Sequence, residues 1–378
     1  MRTKATDLVG IDIPIFGFSH CRDVVAAVTN AGGCGVLGAV AHTPEQLDID
    51  LAWIEEEVKG KPFGVDLLVP EKFAGSDEGG LDRGALRDLL PEEHRTWLNE
   101  LLARYDVPPI PDDMDRGGPG SLGGMRVDPK SMAPLLDVVF AHKTKLVASA
   151  LGPPPPHFIE RSHAAGIPVA ALAGTVHHAE RHVAAGADMI VAQGGEAGGH
   201  TGQIATRVLV PEVVDAVGSI PVLAAGGIGS GRQLAAGMAL GAEGVWCGSV
   251  WLTTEEAETP PSVKAKFLAA GLGDTVRSRS LTGKPARMLR TAWTDEWERP
   301  DGPGTLPMPM QPMLVNDAMR RIHRVADKPG TGANQLVTYF VGQIVGSMNT
   351  VRPARRVVLD MVEEFIDAVQ RLDGLLAE

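Results

Sequence analysis

Between Ala192 and Gly202 the chain reads AQGGEAGGHTG, five glycines in eleven residues with Gln193, Glu196 and His200 set among them. Such a run lets backbone amides approach a flat or anionic ligand closely, whereas turn chemistry alone needs only one or two of these glycines. Gln193, Glu196 and His200 can then supply polar contacts to that ligand. A second run, Ala224-Ala-Gly-Gly-Ile-Gly-Ser-Gly231, follows an apolar strand and opens a helix at Ser230. Its amides and the positive end of that helix make an anion site. A third, Val245-Trp-Cys-Gly-Ser-Val250, ends another strand with Gly248 and Ser249 free to donate backbone and hydroxyl hydrogens.

These runs need a scaffold that places strand ends side by side. Short apolar stretches without polar alternation recur at 14–17, 35–38, 62–68, 145–149, 167–172, 188–192, 220–224 and 244–247. Helical segments separate them at 23–30, 44–58, 158–165, 175–185, 211–217 and 230–240, with Thr175 and Ser230 as N-caps. Strands of this kind, each followed by a helix, imply a parallel sheet covered on both faces. No G-x-G-x-x-G follows the first strand, so a closed (β/α)8 TIM barrel is favoured over an open dinucleotide-binding sheet. The two glycine turns on the last strands then match the phosphate site of such barrels.

The expected organisation is a barrel over 1–69 and 135–255, an inserted lid-like segment over 70–134, and a helical extension over 256–378 that completes the substrate domain. The insertion is polar and rich in Pro and Gly from 107 to 134. In the extension, helices are expected at 315–326, 335–348 and 355–372. The last carries an apolar stripe, Val358, Val362, Phe365, Val369 and Leu372, which should pack on the barrel or on another subunit of a homo-oligomer.

Composition narrows the function classes. Of 378 residues 45 are glycine, well above the usual share of roughly 7%, without collagen period or low complexity. A formal charge of −12 argues against gripping a nucleic-acid backbone. No stretch approaches the roughly 18 to 20 apolar residues of a membrane span, and the first residues lack an apolar signal core. Cys21, Cys34 and Cys247 have no metal-like spacing, and together these features predict a cytoplasmic protein with reduced thiols. His178 and His182 form an i, i+4 pair without a third ligand in register, so they read as a solvated helix face and no metal site is expected. Cys247 and the tryptophans Trp246, Trp251, Trp293 and Trp297 read as packing residues.

The sequence resembles the nitronate monooxygenase family, formerly 2-nitropropane dioxygenases, which are FMN-binding TIM-barrel enzymes. The resemblance rests on AQGGEAGGHTG at 192–202, PVLAAGGIGSGRQLAAGMALGAEGVWCGSVWL at 221–252, NAGGCGVLG at 30–38 and KPFGVDLL at 61–68. SLTGKPARMLRTAW at 280–293 and YFVGQIVG at 339–346 add to it, and only the insertion is left uncovered. It implies phosphate contacts at Gly227, Gly248 and Ser249, flavin-ring and ribityl contacts at Phe18, Asp66, Gln193 and Gly198, and an active-site histidine at His200.

Two departures matter. Gly17-Phe18-Ser19-His20 stands where the family usually has a Pro-Met pair, and Asp66 stands where an Asn usually meets the flavin. A carboxylate there would disfavour anionic reduced flavin unless protonated or paired. His20 adds a second acid or base at the mouth. The expected activity is FMN-dependent oxidation of alkyl nitronates by O2 to a carbonyl compound and nitrite. The alternatives are an FMN reductase that uses NADH or NADPH as co-substrate to reduce a quinone or an unsaturated acyl thioester, and a non-catalytic barrel holding a phosphorylated ligand.

Overall fold

The computed structural model describes residues 1–68, 89–110 and 129–376. The apolar runs form eight parallel strands, β1 (Ile15–Ser19), β2 (Cys34–Gly38), β3 (Gly64–Leu68), β4 (Leu146–Ala150), β5 (Val169–Ala173), β6 (Met189–Gln193), β8 (Val222–Ala225) and β9 (Gly244–Cys247). They close in that order into a TIM barrel, β9 pairing back onto β1, while the two-residue strand β7 (Gly199–His200) stands outside it. Residues two apart share a face. Phe16, Val36, Ala148, Val191, Leu223 and Trp246 therefore cluster inside the barrel, and Ile15, Leu37, Val147 and Val245 pack outward under helices.

The helices are α1 (Lys4–Val9), α2 (Arg22–Asn30), α3 (Pro44–Val58), α4 (Glu92–Arg104), α5 (Pro129–Ala141), α6 (Pro156–Ala164), α7 (Val176–Ala184), α8 (Thr206–Val217) and α9 (Gly231–Ala239). Thr43, Thr175 and Ser230 cap α3, α7 and α9 with side-chain oxygens that accept from an amide three residues on. The helix expected from 211 starts earlier, at Thr206. Glu196 Oε2 accepts from both Thr206 N and Thr206 Oγ1 at 2.8 Å and so satisfies its first turn. Pro211 lies inside the helix, where its missing N–H forfeits one ladder bond.

Beyond the barrel, the chain is not helical throughout. It supplies the antiparallel pair β10 (Thr275–Ser278) and β11 (Ala286–Leu289), among α10 (Pro261–Ala269), α11 (Ala292–Trp297), α12 (Met310–Val325) and α13 (Ala333–Leu336). The helix expected over 335–348 is instead α13, an extended run at 337–341 and a 3-10 turn at Gln343–Ser347. Val337, Thr338, Tyr339, Phe340 and Val341 are β-branched or aromatic, a pattern that favours extended backbone. Here it lies along β11, with Leu289 N donating to Tyr339 O at 3.0 Å and Met288 bridging to Phe340.

A second core lies here. Leu98, Leu101 and Leu102 of α4, from the segment expected to be a lid, join Trp293, Trp297, Val315 and Ile322. The rest of that segment, 69–88 and 111–128, is outside the described residues. α14 (Ala354–Gly374) returns to the barrel and packs on α2 and α9. Val357, Val358 and Met361 are buried, but Val369 and Leu372 of the expected stripe are exposed, because the helix runs on past the surface it covers.

The α9–α14 approach depends on Gly231, where a Cβ would collide with the carbonyl oxygen of Met361 and the amide nitrogen of Phe365. Gly231→Ala should therefore cost about 1–3 kcal/mol, the usual scale for overpacking. It would be read as a lower denaturant midpoint at an unchanged slope, and an unmoved midpoint would refute this packing.

Candidate active site

The glycine-rich loop that leaves β6 is captured by the second sheet. Gly199 and His200 pair antiparallel with Arg287 and Ala286 of β11. His200 Nδ1 lies 3.3 Å from the Pro285 carbonyl. A carbonyl only accepts, so Nδ1 carries the proton and Nε2 of the neutral ring keeps a free lone pair. Burial lowers the pKa of this ring, the nearby Lys284 charge lowers it further, and the Pro285 hydrogen bond opposes them. His200 is thus a neutral base at pH 7.

Four side-chain and backbone contacts fix the loop around it. Arg287 Nε donates to Gly195 O at 2.8 Å, Arg277 Nη2 to Thr201 O at 3.0 Å, and Gln343 N to Glu196 O at 2.9 Å. Gly342 N donates to Ser249 Oγ at 2.8 Å, tying the same segment to the end of β9. Gly198 must be glycine because a Cβ would sit 2.8 Å from Gly342 N. None of Arg277, Pro285, Arg287 or Gly342 was singled out as a contact from sequence. For Pro285, Arg287 and Gly342 the signal lay in the motifs at 280–293 and 339–346, but their partners are distant in the chain, and Arg277 lies in neither motif.

The anion-binding donors are narrower than expected. The positive end of α9 is already taken, since Gly231 N donates to Glu364 Oε2 at 2.8 Å and Gly229 N to Gln233 Oε1 at 2.9 Å. What remains is the turn at Gly226 and Gly227, both at positive φ, and the 3-10 turn Ser249–Thr253, which opens at Gly248. Amides in a first helical turn have no partner within the helix. Ser249 Oγ accepts from Gly342, which leaves its O–H to donate outward. A Cβ on Gly248 would meet nothing nearer than Phe18, at 3.7 Å. With glycines at 227 and 248 and the Ser249 hydroxyl, this set of N–H and O–H donors fits a phosphate monoester such as that of a flavin mononucleotide.

The opposite side of the mouth is built by β1 to β3. Phe18 lies between Trp246, stacked at 6.2 Å, and His20, edge-on at 5.1 Å. His20 Nδ1 donates to Gly38 O at 2.8 Å, and the ring keeps a lowered pKa through burial, though part of its surface opens to the mouth. Asp66 stands opposite Gly38 and Ala148, is 8% exposed and has no ion-pair or hydrogen-bond partner for its carboxyl among the described residues. Burial raises its pKa to about 7. Gln193 ends β6 beside Ala225, half-buried. The barrel thus brings Phe18, Asp66 and Gln193 to the mouth on three strands, while Gly198, His200, Gly227, Gly248 and Ser249 come from the loops beyond β6, β8 and β9.

Other candidates resolve simply. Cys247 is buried, with its thiol pushed up to about 12 by desolvation, and the four named tryptophans are buried. His182 is not on a solvated face: it is buried, with Nε2 donating to Leu172 O at 3.0 Å. Cys21, Asp23 and Glu258 bring ligand atoms within 4.8 Å of one another. The Cys21 thiol, however, donates to Glu256 O at 3.1 Å and burial keeps it protonated, which does not suit a metal ligand.

A closed parallel barrel with a phosphate cradle on its last strands and a neutral histidine over its mouth defines a flavin-dependent oxidoreductase of the TIM-barrel class. The nitronate monooxygenase family model matches residues 3–364, and the chain belongs to that family. It is 64% identical over 376 residues to the protein Rv1533 of Mycobacterium tuberculosis, each covered in full. It is 35% identical over 295 residues to (3aS,4S,5R,7aS)-5-hydroxy-7a-methyl-1-oxo-octahydro-1H-indene-4-carboxyl-CoA dehydrogenase of Rhodococcus jostii, covering 77% of this chain and 66% of that protein. Among solved structures, nitroalkane oxidase from Streptomyces ansochromogenes superposes with a TM-score of 0.79 at 28% identity, covering 97% of this chain and 99% of the other. No helix among the described residues is long and apolar enough to cross a membrane.

The Asp66 carboxyl sets a pH dependence on folding. Its pKa in the folded chain, about 7, exceeds the ordinary aspartate value of 3.8. The folded state therefore holds the proton more tightly, and stability falls as pH rises from about 4 to about 7. In flavin-free protein, Asp66→Asn should gain roughly 2 kcal/mol more over the wild type at pH 8 than at pH 5. A difference that stays constant with pH, measured by denaturant titration, would show the carboxyl to be unperturbed.

Proposed function

We propose that this enzyme holds FMN and oxidises alkyl nitronates with O2 to a carbonyl compound and nitrite. The observation that carries the reading is His200, neutral, with Nε2 free, beside the cationic Lys284 and above a glycine cradle suited to a phosphate. Phe18, Asp66, Gln193 and Gly198 would hold the ring and ribityl chain, and Gly227, Gly248 and Ser249 the phosphate. The flavin supplies an acceptor for substrate electrons that O2 can reoxidise.

The protein's part is acid-base and electrostatic. His200 Nε2 accepts the proton from the carbon next to a nitro group, and the resulting imidazolium, still bonded to Pro285, faces the nitronate it has formed. Lys284 contributes positive charge on the same side, which favours an anionic substrate over its neutral conjugate acid. The carbonyl hydrogen bond holds the ring while its charge changes.

His200→Ala should keep the flavin but slow turnover of a neutral nitroalkane by about a hundredfold or more, the scale for losing a positioned base. Turnover of the preformed nitronate should fall less, and equal rates for wild type and variant on both substrates would remove His200 from the mechanism. Gly227→Val, which forces a side chain onto a turn at positive φ, should yield folded but colourless protein. Stoichiometric flavin in that variant would refute the phosphate placement.

A reductase acting on an acyl thioester draws support from the likeness to a CoA dehydrogenase. Anaerobic mixing separates the two readings. Rapid bleaching of the flavin by NADH or NADPH supports the reductase, and bleaching by nitronate alone supports the oxidase.

A further inference from the structure

Asp66 is an acidic side chain that the fold places inside the barrel's upper layer, and among the described residues no hydrogen bond or ion pair supports a charge there. Its strand neighbours in register are Gly38 on β2 and Ala148 on β4, which offer neither donor nor cation. Beneath it lie the apolar side chains of the barrel interior, Val36, Leu146, Met189 and Val191 among them. No hydrogen bond or ion pair reaches its carboxyl among the described residues, although the residue is more than nine-tenths buried. An isolated carboxylate in such surroundings is costly, and the group relieves that cost by keeping its proton. The neutral acid has what the carboxylate lacks, an O–H donor beside a carbonyl acceptor.

We propose that Asp66 faces the flavin as a neutral carboxylic acid, offering its O–H as a hydrogen-bond donor, and that the enzyme's hold on its prosthetic group loosens when that proton leaves. The inference rests on the placing of the flavin at the barrel mouth proposed above, not on the identity of the oxidised substrate. Two physical effects act in the same direction. Ionisation removes the donor, and it sets a negative charge beside a group that already carries a phosphate and becomes more electron-rich on reduction. Burial places the change near pH 7, where it falls within the working range of the enzyme.

Among the described residues, the other titratable groups on this side of the mouth are His20, bonded to Gly38 O, and His42, whose Nε2 lies 3.0 Å from Asp50 Oδ2, with Arg22 Nη1 donating to the same carboxylate at 3.0 Å. Across the mouth stand His200 and Lys284. Asp66→Asn keeps all of these and replaces the acid with a group of the same shape that donates at every pH. Any pH response that belongs to Asp66 therefore disappears in this variant alone.

The test is dissociation of FMN from the full-chain holoprotein, followed by recovery of flavin fluorescence on dilution between pH 5.5 and 8.5. In the wild type the dissociation constant should be steady below about pH 6 and at least tenfold larger at pH 8.5, as a single required proton demands. In Asp66→Asn it should vary by less than about threefold across the range. A wild type that releases flavin equally at both ends, a variant that shares the wild-type rise, or a wild type that takes up no flavin would each overturn the inference. A second measurement needs no variant. Infrared difference spectra of the wild-type holoprotein should show a carboxylic-acid carbonyl band giving way to carboxylate on the same pH course as flavin release, and its absence would equally overturn it. Because neither readout uses nitronate turnover, a failure of the substrate reading leaves both tests decisive.

Discussion

Two residues of backbone pairing, Gly199 and His200 against Arg287 and Ala286, hold the site together. A loop with five glycines in eleven residues has unusual conformational freedom to lose, and its own side chains do little to restrict it. The restriction comes from outside. β11 supplies a ladder, Arg277 and Arg287 cap loop carbonyls, and the strand-like run before Gln343 closes over Glu196 and Gly198. Hydrogen bonds from charged donors each contribute about 1.5–3 kcal/mol when partly buried, so the two arginines offset part of the cost of ordering this loop and the β11 pairing adds to them. Without this second layer the imidazole at position 200 would have neither a fixed tautomer nor a fixed direction.

The same arrangement sorts charge around the mouth. Glu196 and Glu364 sit at the starts of α8 and α9, where they complete the first-turn amides and interact favourably with the helix dipoles. Those two carboxylates are thereby spent on structure, and the donors that we propose hold the phosphate are left at Gly227, Gly248 and Ser249. On the side of β10 and β11, Arg277, Lys284 and Arg287 give the loop a positive border. Asp66 is the exception: no hydrogen bond or ion pair reaches its carboxyl among the described residues, and burial raises its pKa to about 7. The site therefore carries a weakened acid on one strand and a neutral base on a loop three strands further round the barrel.

Legibility in the sequence followed how local the cause was. All eight strands were visible because a sheet buried on both faces requires unbroken apolar runs, and the caps at Thr175 and Ser230 because capping is decided within four residues. The start of α8 was not, since the carboxylate that completes it comes from Glu196, ten residues upstream. The stretch 335–348 has apolar residues at helical spacing, yet its β-branched and aromatic run follows the open side of β11, a partner that sequence periodicity does not reveal. The phosphate turns were recognisable as turns. That Glu364 closes one of their two donor sets depends on a helix 133 residues away.

The amino-acid order by itself determined the barrel, the strand ends from which chemistry would come, and the identity of the imidazole and the glycines there, because each is written in residues a few positions apart. Only the tertiary structure decided which nitrogen of His200 is free, which amides remain for an anion, and that the Asp66 carboxyl is buried without a partner among the described residues. Those are properties of distances between segments and of local polarity, and both arise when separate parts of the chain exclude water together.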